Sequence, residues 1–164
     1  MIKIGIFSGR FDPPNMGHIM TIERLIEEYH YLVIPILDYS NREGCTAKEA
    51  KTIFEHHFGM IIPKMFKNRF KFIINNDHFA EITILQFSKL LNSVGLNVSD
   101  NITYLAGNEM VIKHMMEIGI KTKFVLRVII DGLDQYTFES TKIREEIKKK
   151  GKSLDCIYNI GRKN

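Results

Sequence analysis

Apolar residues change their spacing several times along the chain, and each change marks an element. Ile2–Phe7 alternates apolar with small or polar residues and runs into a Gly/Pro-rich stretch, Ser8–Asn15, which predicts a strand feeding a loop. From Gly17 the period lengthens. Ile19, Ile22, Ile26 and Tyr29 recur at three and four residues, with Glu23, Glu27 and Glu28 mostly off that stripe, as on an amphipathic helix. Tyr31–Leu37 is then a nearly unbroken apolar run of strand length, the pattern of a strand buried on both faces. Strand, loop, helix and strand in that order form a parallel crossover unit.

The later segments continue the alternation. Asp38–Cys45 reads as a polar loop, and Thr46 caps a helix predicted through about Phe58. Phe70–Ile74 reads as a strand, and Glu81–Val94 as a helix with Ile82, Leu85, Leu91 and Val94 inward. Ile102–Ala106 is a strand ending at Gly107, followed by a helix near Glu109–Ile118 that stops at Gly119. Phe124–Ile130 is a strand, and Ser140 opens a last helix. Strands alternating with helices imply an α/β class, a Rossmann-like three-layer sandwich on a mostly parallel sheet of roughly five strands. No repeat or linker interrupts residues 1–164, so a single domain with a short basic C-terminal segment is expected.

Composition adds little until the charge is located. The 164 residues are 45% hydrophobic and 26% charged, which excludes collagen, coiled coil and wholesale disorder. The net charge of +4 and a pI near 9.0 invite a nucleic-acid reading. Residues 142–164, however, hold eight bases against three acids, leaving residues 1–141 at net −1. No nucleic acid partner is therefore expected, since the body lacks the interleaved basic and aromatic stripe of such surfaces. Cys45 and Cys156 lie far apart without C-x-x-C spacing, against a zinc ribbon or disulfide framework. The N-terminal apolar run is too short for a signal peptide, and no stretch approaches the ~20 apolar residues that span a bilayer. A cytoplasmic protein without a membrane partner is the expectation.

The candidate chemistry lies in the first loop, Ser8-Gly9-Arg10-Phe11-Asp12-Pro13-Pro14-Asn15-Met16-Gly17-His18. In open parallel sheets ligands bind beyond the carboxyl ends of the strands. Gly9 and Gly17 allow close approach of backbone to a ligand. His18 falls in the first helical turn, where free N–H groups and the helix dipole favour an anion. Arg10 on the approach adds positive charge.

This loop resembles the signature of the nucleotidylyltransferase superfamily, G-x-F-D/Q-P followed by H/T-x-G-H. The resemblance implies that His18 contacts nucleotide phosphates and stabilises charge during transfer. The first position of the second motif is Asn15, neither His nor Thr, a neutral side chain able to donate a hydrogen bond to an α-phosphate. Phe138-Glu139-Ser140-Thr141-Lys142-Ile143-Arg144 is similar to the family's I-S-S-T-x-I-R, which cradles the β- and γ-phosphates of ATP, with Phe138 and Glu139 as departures. Ser140 can cap the last helix, and Arg144 one turn on can reach a phosphate with a bidentate fork. Together the motifs imply attack of a substrate phosphate on the α-phosphorus of ATP with release of pyrophosphate. They also imply Mg²⁺ bridging the phosphates with few or no protein ligands.

Within the superfamily, Gly9-Arg10-Phe11 and Ser-Thr-x-Ile-Arg are most similar to nicotinamide mononucleotide adenylyltransferases of the archaeal type. This similarity implies a nicotinamide or nicotinate mononucleotide as acceptor. Pantetheine-phosphate adenylyltransferases share Asp12 and Pro13, and cytidylyltransferases share the G-x-F-D start but not their C-terminal motif. By the same resemblance, Ser8, Gly9, Arg10, Phe11, Gly17, His18, Gly107, Ser140, Thr141 and Arg144 bind nucleotide. His18, Asn15 and Arg144 serve catalysis, Arg42, Lys48 and Lys51 face the acceptor phosphate, and homo-oligomers are possible. A reading of another class is a non-catalytic nucleotide- or nucleic-acid-binding module whose site has decayed at Asn15 and Glu139.

Other residues carry blander readings. His56 and His57 point to different sides of a helix, and His30, His78 and His114 lack ligand-spaced partners. Met110, Met115 and Met116 with Ile112 read as core filling, Asp131 and Asp134 as a turn, and Lys148–Lys150 as a solvated helix end.

Overall fold

The structure, a computed structural model, describes residues 1–61, 68–126 and 140–150. The element order is β1 (Ile4–Phe7), α1 (Met16–Glu28), β2 (Tyr31–Leu37), α2 (Ala47–Ile61), β3 (Phe70–Asn75), α3 (Ile84–Ser93), β4 (Ile102–Ala106), α4 (Glu109–Glu117), β5 (Thr122–Phe124) and α5 (Ser140–Lys150). The five strands form one sheet in the order β3-β2-β1-β4-β5, and every neighbouring pair is parallel. The expected Rossmann-like α/β sandwich is therefore present.

Two apolar clusters lie on the two faces of this sheet, and the strand alternation assigns residues to each. On β2, Leu32, Ile34 and Ile36 join the cluster built by Ile19, Ile22 and Leu25 of α1 and Phe54 and Phe58 of α2. Val33, between them, joins Phe87 and Leu91 of α3 and Met115 of α4 in the other. Each aliphatic side chain so buried contributes about 1.5–3 kcal/mol, which fixes strand register and holds the site end of the sheet rigid.

Helix boundaries follow capping chemistry. Thr46 caps α2 as expected, its Oγ1 accepting from Glu49 N, and Glu49 Oε1 accepts from Thr46 N in return. Gly119, with φ +88°, follows the end of α4 in the left-handed region. The helix expected over Glu81–Val94 instead spans Ile84–Ser93, because Thr83 and Gln86 form a capping box there. The inward stripe shifts with it: Leu85 is exposed, while Phe87, Leu90 and Leu91 are buried. Ile82 is still buried, but ahead of the helix. Met110 and Met116 are also exposed, so of the three methionines only Met115 fills the core. Among the described residues the last strand is Thr122–Phe124, which starts earlier than expected because it pairs with Tyr104–Ala106 of β4. Residues 127–130 of the expected strand, the turn at Asp131 and Asp134, and Phe138, Glu139 and Cys156 lie outside the described residues.

The strand order makes a place for a ligand. The chain runs from β1 outward to β2 and β3, then crosses back to lay β4 on the other side of β1. The connections leaving β1 and β4 thus diverge to opposite faces, opening a crevice at the carboxyl ends of these two strands. No helix among the described residues is long and apolar enough to cross a membrane.

Candidate active site at the β1–β4 crevice

The predicted loop residues divide into two groups. Ser8, Gly9 and Arg10 line a cavity of about 430 Å³, together with Leu37, His78, Phe79, Tyr104, Ala106, Gly107, Asn108 and Val111. Its walls are the ends of β1, β2 and β4, the segment after β3 and the start of α4. At its floor the buried Tyr104 hydroxyl shares a very short hydrogen bond with Ser8 Oγ, and Phe79 stacks on the Tyr104 ring at 5.0 Å. Burial holds the Tyr104 hydroxyl far above the ordinary tyrosine range, although the Ser8 bond opposes that shift, so the phenol stays neutral. His78, set aside on sequence grounds, is exposed at this cavity with Nδ1 accepting from Ala80 N at 3.2 Å. A neutral ring held that way carries its proton on Nε2. Asn108 caps α4 with its side chain, accepting from Met110 N and Val111 N.

The second group gathers around Asn15. This residue is fully buried and caps α1: its Oδ1 accepts from His18 N at 3.1 Å, and its own N–H donates to His18 Nδ1 at 3.1 Å. Its Nδ2 donates to Ser140 Oγ at 3.0 Å, and Ser140 Oγ donates onward to Pro13 O at 2.7 Å. Arg144 reaches Asp12 O with Nη1 at 2.8 Å and Thr141 Oγ1 with Nη2 at 3.1 Å. Two stretches more than a hundred residues apart in sequence thus meet through direct hydrogen bonds, with Ile143 and Ile147 buried to hold α5 in place. Here the sequence expectations change in detail. Asn15 is spent on joining the loop to α5, and Ser140 bridges to the loop. Gly17 is buried, its carbonyl accepting from Thr21 Oγ1 at 2.6 Å.

Because His18 Nδ1 accepts a backbone N–H, the neutral ring carries its hydrogen on Nε2. Phe11 packs edge-on against the His18 ring at 4.9 Å and against Phe54 at 4.9 Å. Phe11, expected to touch nucleotide, is instead a buried anchor under the loop. Its φ of +48° is left-handed, a conformation that costs a bulky residue about 1–3 kcal/mol and must be imposed by its surroundings.

The imposing contacts come from the loop after β2. Arg42 Nε donates to Cys45 O at 2.7 Å, Nη1 to Arg10 O at 2.6 Å and Leu37 O at 2.7 Å, and Nη2 to Phe11 O at 2.7 Å and Cys45 Sγ at 3.7 Å. All five guanidinium N–H groups are engaged. Arg42, expected at the acceptor phosphate, therefore clamps two loops together. In return, the Asp12 carboxylate accepts from Tyr39 Oη at 2.5 Å and from the backbone N–H groups of Glu43, Gly44 and Cys45. Gly44 is required by this contact, since a Cβ there would lie 2.7 Å from Pro13 N and 2.8 Å from Asp12 C. Lys148 of α5 adds an ion pair to Glu43 at 2.9 Å. Lys48 is exposed, and Lys51 pairs with Glu55 at 3.6 Å on the side of α2 that faces β3. Neither lines the crevice cavity.

Burial pushes the Asp12 carboxyl up, but its four hydrogen bonds outweigh that and hold it below the usual carboxylate range. The sign follows directly: a lowered folded value stabilises the fold above the unfolded value of about 3.9 and loses that contribution as pH falls through the folded value. The melting-temperature advantage of the wild type over Asp12→Asn is expected to be constant near neutrality and to shrink at acid pH. An advantage that is the same at all pH values would contradict the role of the charge.

Among the described residues no group of three or more His, Cys, Asp or Glu side chains could hold a metal ion. Asp12, the only carboxylate in Ser8–His18, has its oxygens committed to four donors.

No family profile and no curated protein matches the chain. Solved structures do match. A bifunctional NMN adenylyltransferase/ADP ribose pyrophosphatase from Francisella tularensis, complexed with AMP and manganese ion, superposes with a TM-score of 0.64 at 16% identity, over 92% of this chain and 42% of that one. The NadR protein in complex with NAD and AMP-PNP gives 0.62 at 16% identity, over 92% and 44%. A candidate nicotinate-nucleotide adenylyltransferase from Vibrio parahaemolyticus gives 0.55 at 20% identity, over 95% and 92%. The chain spans less than half the length of the first two. At these identities the likeness establishes the fold.

Proposed function

We propose that this protein is a nucleotidyltransferase that moves an adenylyl group from ATP to the phosphate of a mononucleotide, releasing pyrophosphate. The observation that carries the reading is the junction at Asn15, which ties the His18 turn and the Ser140–Arg144 turn into one unit. The two motifs suggest phosphate contacts separately; joined at one end of the sheet, they offer a single polyanion contacts from both sides. Three fold relatives described as acting on NMN or nicotinate nucleotide, or as binding NAD, give the same direction.

On this reading His18 Nε2–H donates to an α-phosphate oxygen as negative charge builds there, and the N-terminal turn of α1 adds its dipole. Arg10 and Arg144 neutralise the remaining phosphates. The acceptor phosphate attacks the α-phosphorus in line, the bond to the bridging oxygen breaks, and pyrophosphate leaves with the electron pair. No covalent protein intermediate is needed, so positioning and charge neutralisation carry the rate. Among the described residues the site offers cations and N–H groups rather than oxygen ligands for a metal, so Mg²⁺ would come with the triphosphate and would supply charge screening on its phosphates. The cavity suits the acceptor's ring: Phe79 and Tyr104 give an aromatic wall, and among the described residues no acidic side chain lines it. His78 at its rim, with Nε2 left to donate, favours an acceptor that presents a carboxylate or carboxamide.

The acceptor assignment is tested with ATP, Mg²⁺ and a panel of nicotinate mononucleotide, nicotinamide mononucleotide and 4′-phosphopantetheine, following pyrophosphate. Turnover with the two pyridine mononucleotides at least about tenfold above the third is expected, the size of one to two well-placed contacts. Preference for 4′-phosphopantetheine would remove the acceptor assignment and keep adenylyl transfer, and release only when CTP replaces ATP would remove the adenylyl donor and keep nucleotidyl transfer alone.

A further inference from the structure

The loop after β2 controls one more element of this site, and Tyr39 is the residue through which it does so. Arg10 is the exposed cation of the first loop and lines the cavity. Its guanidinium carbon lies 5.2 Å from the centroid of the Tyr39 ring, within the range of a cation–π contact. The Arg42 guanidinium lies against the same ring at 5.4 Å. The far end of that ring is pinned, because Tyr39 Oη donates to Asp12 Oδ2. Asp12 is itself pinned by the N–H groups of Glu43, Gly44 and Cys45. Burial first, then the hydrogen bond and charge of Asp12, push the Tyr39 hydroxyl up to about 12, so it remains a donor at neutral pH.

A long arginine on a loop loses much rotamer freedom when it grips a phosphate, and a ring that already holds the guanidinium plane reduces that loss. Arg42 cannot take over this task. Its donors are committed, and it serves to fix the Arg10 and Phe11 carbonyls beneath the ring. We propose that Tyr39 is a positioning residue for nucleotide binding, its ring presenting the Arg10 guanidinium to the phosphates while the Asp12–Arg42 clasp holds the ring. This rests on the reading of Arg10 as a phosphate contact.

A double-mutant cycle on ATP affinity, measured by calorimetry with Mg²⁺ present, separates this role from simple support of the loop. Arg10→Ala is expected to weaken ATP binding by about tenfold or more, as for a lost charge-assisted bond. Tyr39→Leu is expected to weaken it about three- to tenfold in the wild type, the size of a cation–π contact, and by less than about twofold when Arg10 is already alanine. Tyr39→Phe keeps the ring face but loses the Asp12 bond that pins it, so a loss of about two- to fivefold is expected, again shrinking to less than about twofold when Arg10 is alanine, and this cycle serves if Tyr39→Leu does not fold. Equal losses from either Tyr39 variant in both backgrounds, or no loss from either variant, would overturn the proposal. Pyrophosphate release by the wild type keeps the two readings apart. A non-additive cycle in a protein that binds ATP but releases no pyrophosphate leaves the Tyr39 role and removes the transfer activity. An additive cycle in an active enzyme removes only the Tyr39 role, and a wild type that does not bind ATP removes both.

Discussion

Replacing His18 with alanine is expected to lower turnover by about two to three orders of magnitude, the effect of removing one donor that acts on developing charge. Loss in kcat should exceed any rise in KM for ATP, because the donor's work grows as the α-phosphate gains charge. The same side chain also accepts the Asn15 N–H at the start of α1, so alanine removes half of a capping box as well. That loss costs about 1 kcal/mol, too little to unfold a domain of this size. His18→Gln separates the two effects, since glutamine at this helical position can accept the same N–H. It should recover the melting temperature and leave turnover low. Full turnover in either variant would show that the histidine serves the helix alone.

Arg144→Ala is the second large effect, with a loss of about 100-fold in kcat/KM expected for ATP from the removal of a two-pronged charged donor. The side chain already lies across the junction, donating to Asp12 O and Thr141 Oγ1, so its guanidinium is held close to the loop before any ligand arrives. Arg144→Lys keeps the charge without the planar fork and should restore less than about a tenth of the lost activity. Complete rescue by lysine would mean that only the positive field of α5 matters. The basic character of the C-terminal segment is partly spent within the protein, because Lys148 pairs with Glu43 of the clasped loop.

What the sequence made legible depended on whether the signal was local. The Tyr31–Leu37 run, the alternation of Ile2–Phe7 and the Thr46 cap each report on a few consecutive residues, and the strands and helix they predict are present. Thr83-x-x-Gln86 is a signal of the same kind that would have placed the start of α3 and moved Leu85 to the surface. Asn15 and Arg42 were not legible in this way. Their tasks arise only when separate segments close on one another: Asn15 meets Ser140 of α5, and Arg42 meets carbonyls from β2 and the β1 loop. A polar residue inside a ligand-binding motif is read as a ligand contact because the motif is a pattern of identities, whereas burial depends on the tertiary closure. His78, Phe79 and Tyr104 escaped for a related reason. No motif spacing links them; the strand order brings the ends of β3 and β4 to the cavity.

The loop clasp gives these parts a common logic. A bulky residue in a left-handed conformation, a buried carboxylate and a fully engaged guanidinium are each costly alone, and each is satisfied here by the others. The consequence is a first loop whose shape is set before any ligand binds, which would lower the entropy lost on the proposed nucleotide binding. Such preorganisation is what a reaction carried by positioning and charge neutralisation requires.

The central claim, adenylyl transfer to a pyridine mononucleotide at the β1–β4 crevice, is tested most directly by the products formed from ATP, Mg²⁺ and nicotinate or nicotinamide mononucleotide. Mass analysis is expected to find the corresponding adenine dinucleotide and pyrophosphate in equal amounts, with neither in the His18→Ala sample above about a hundredth of wild type. ADP with phosphate, AMP without dinucleotide, or unchanged ATP would contradict it.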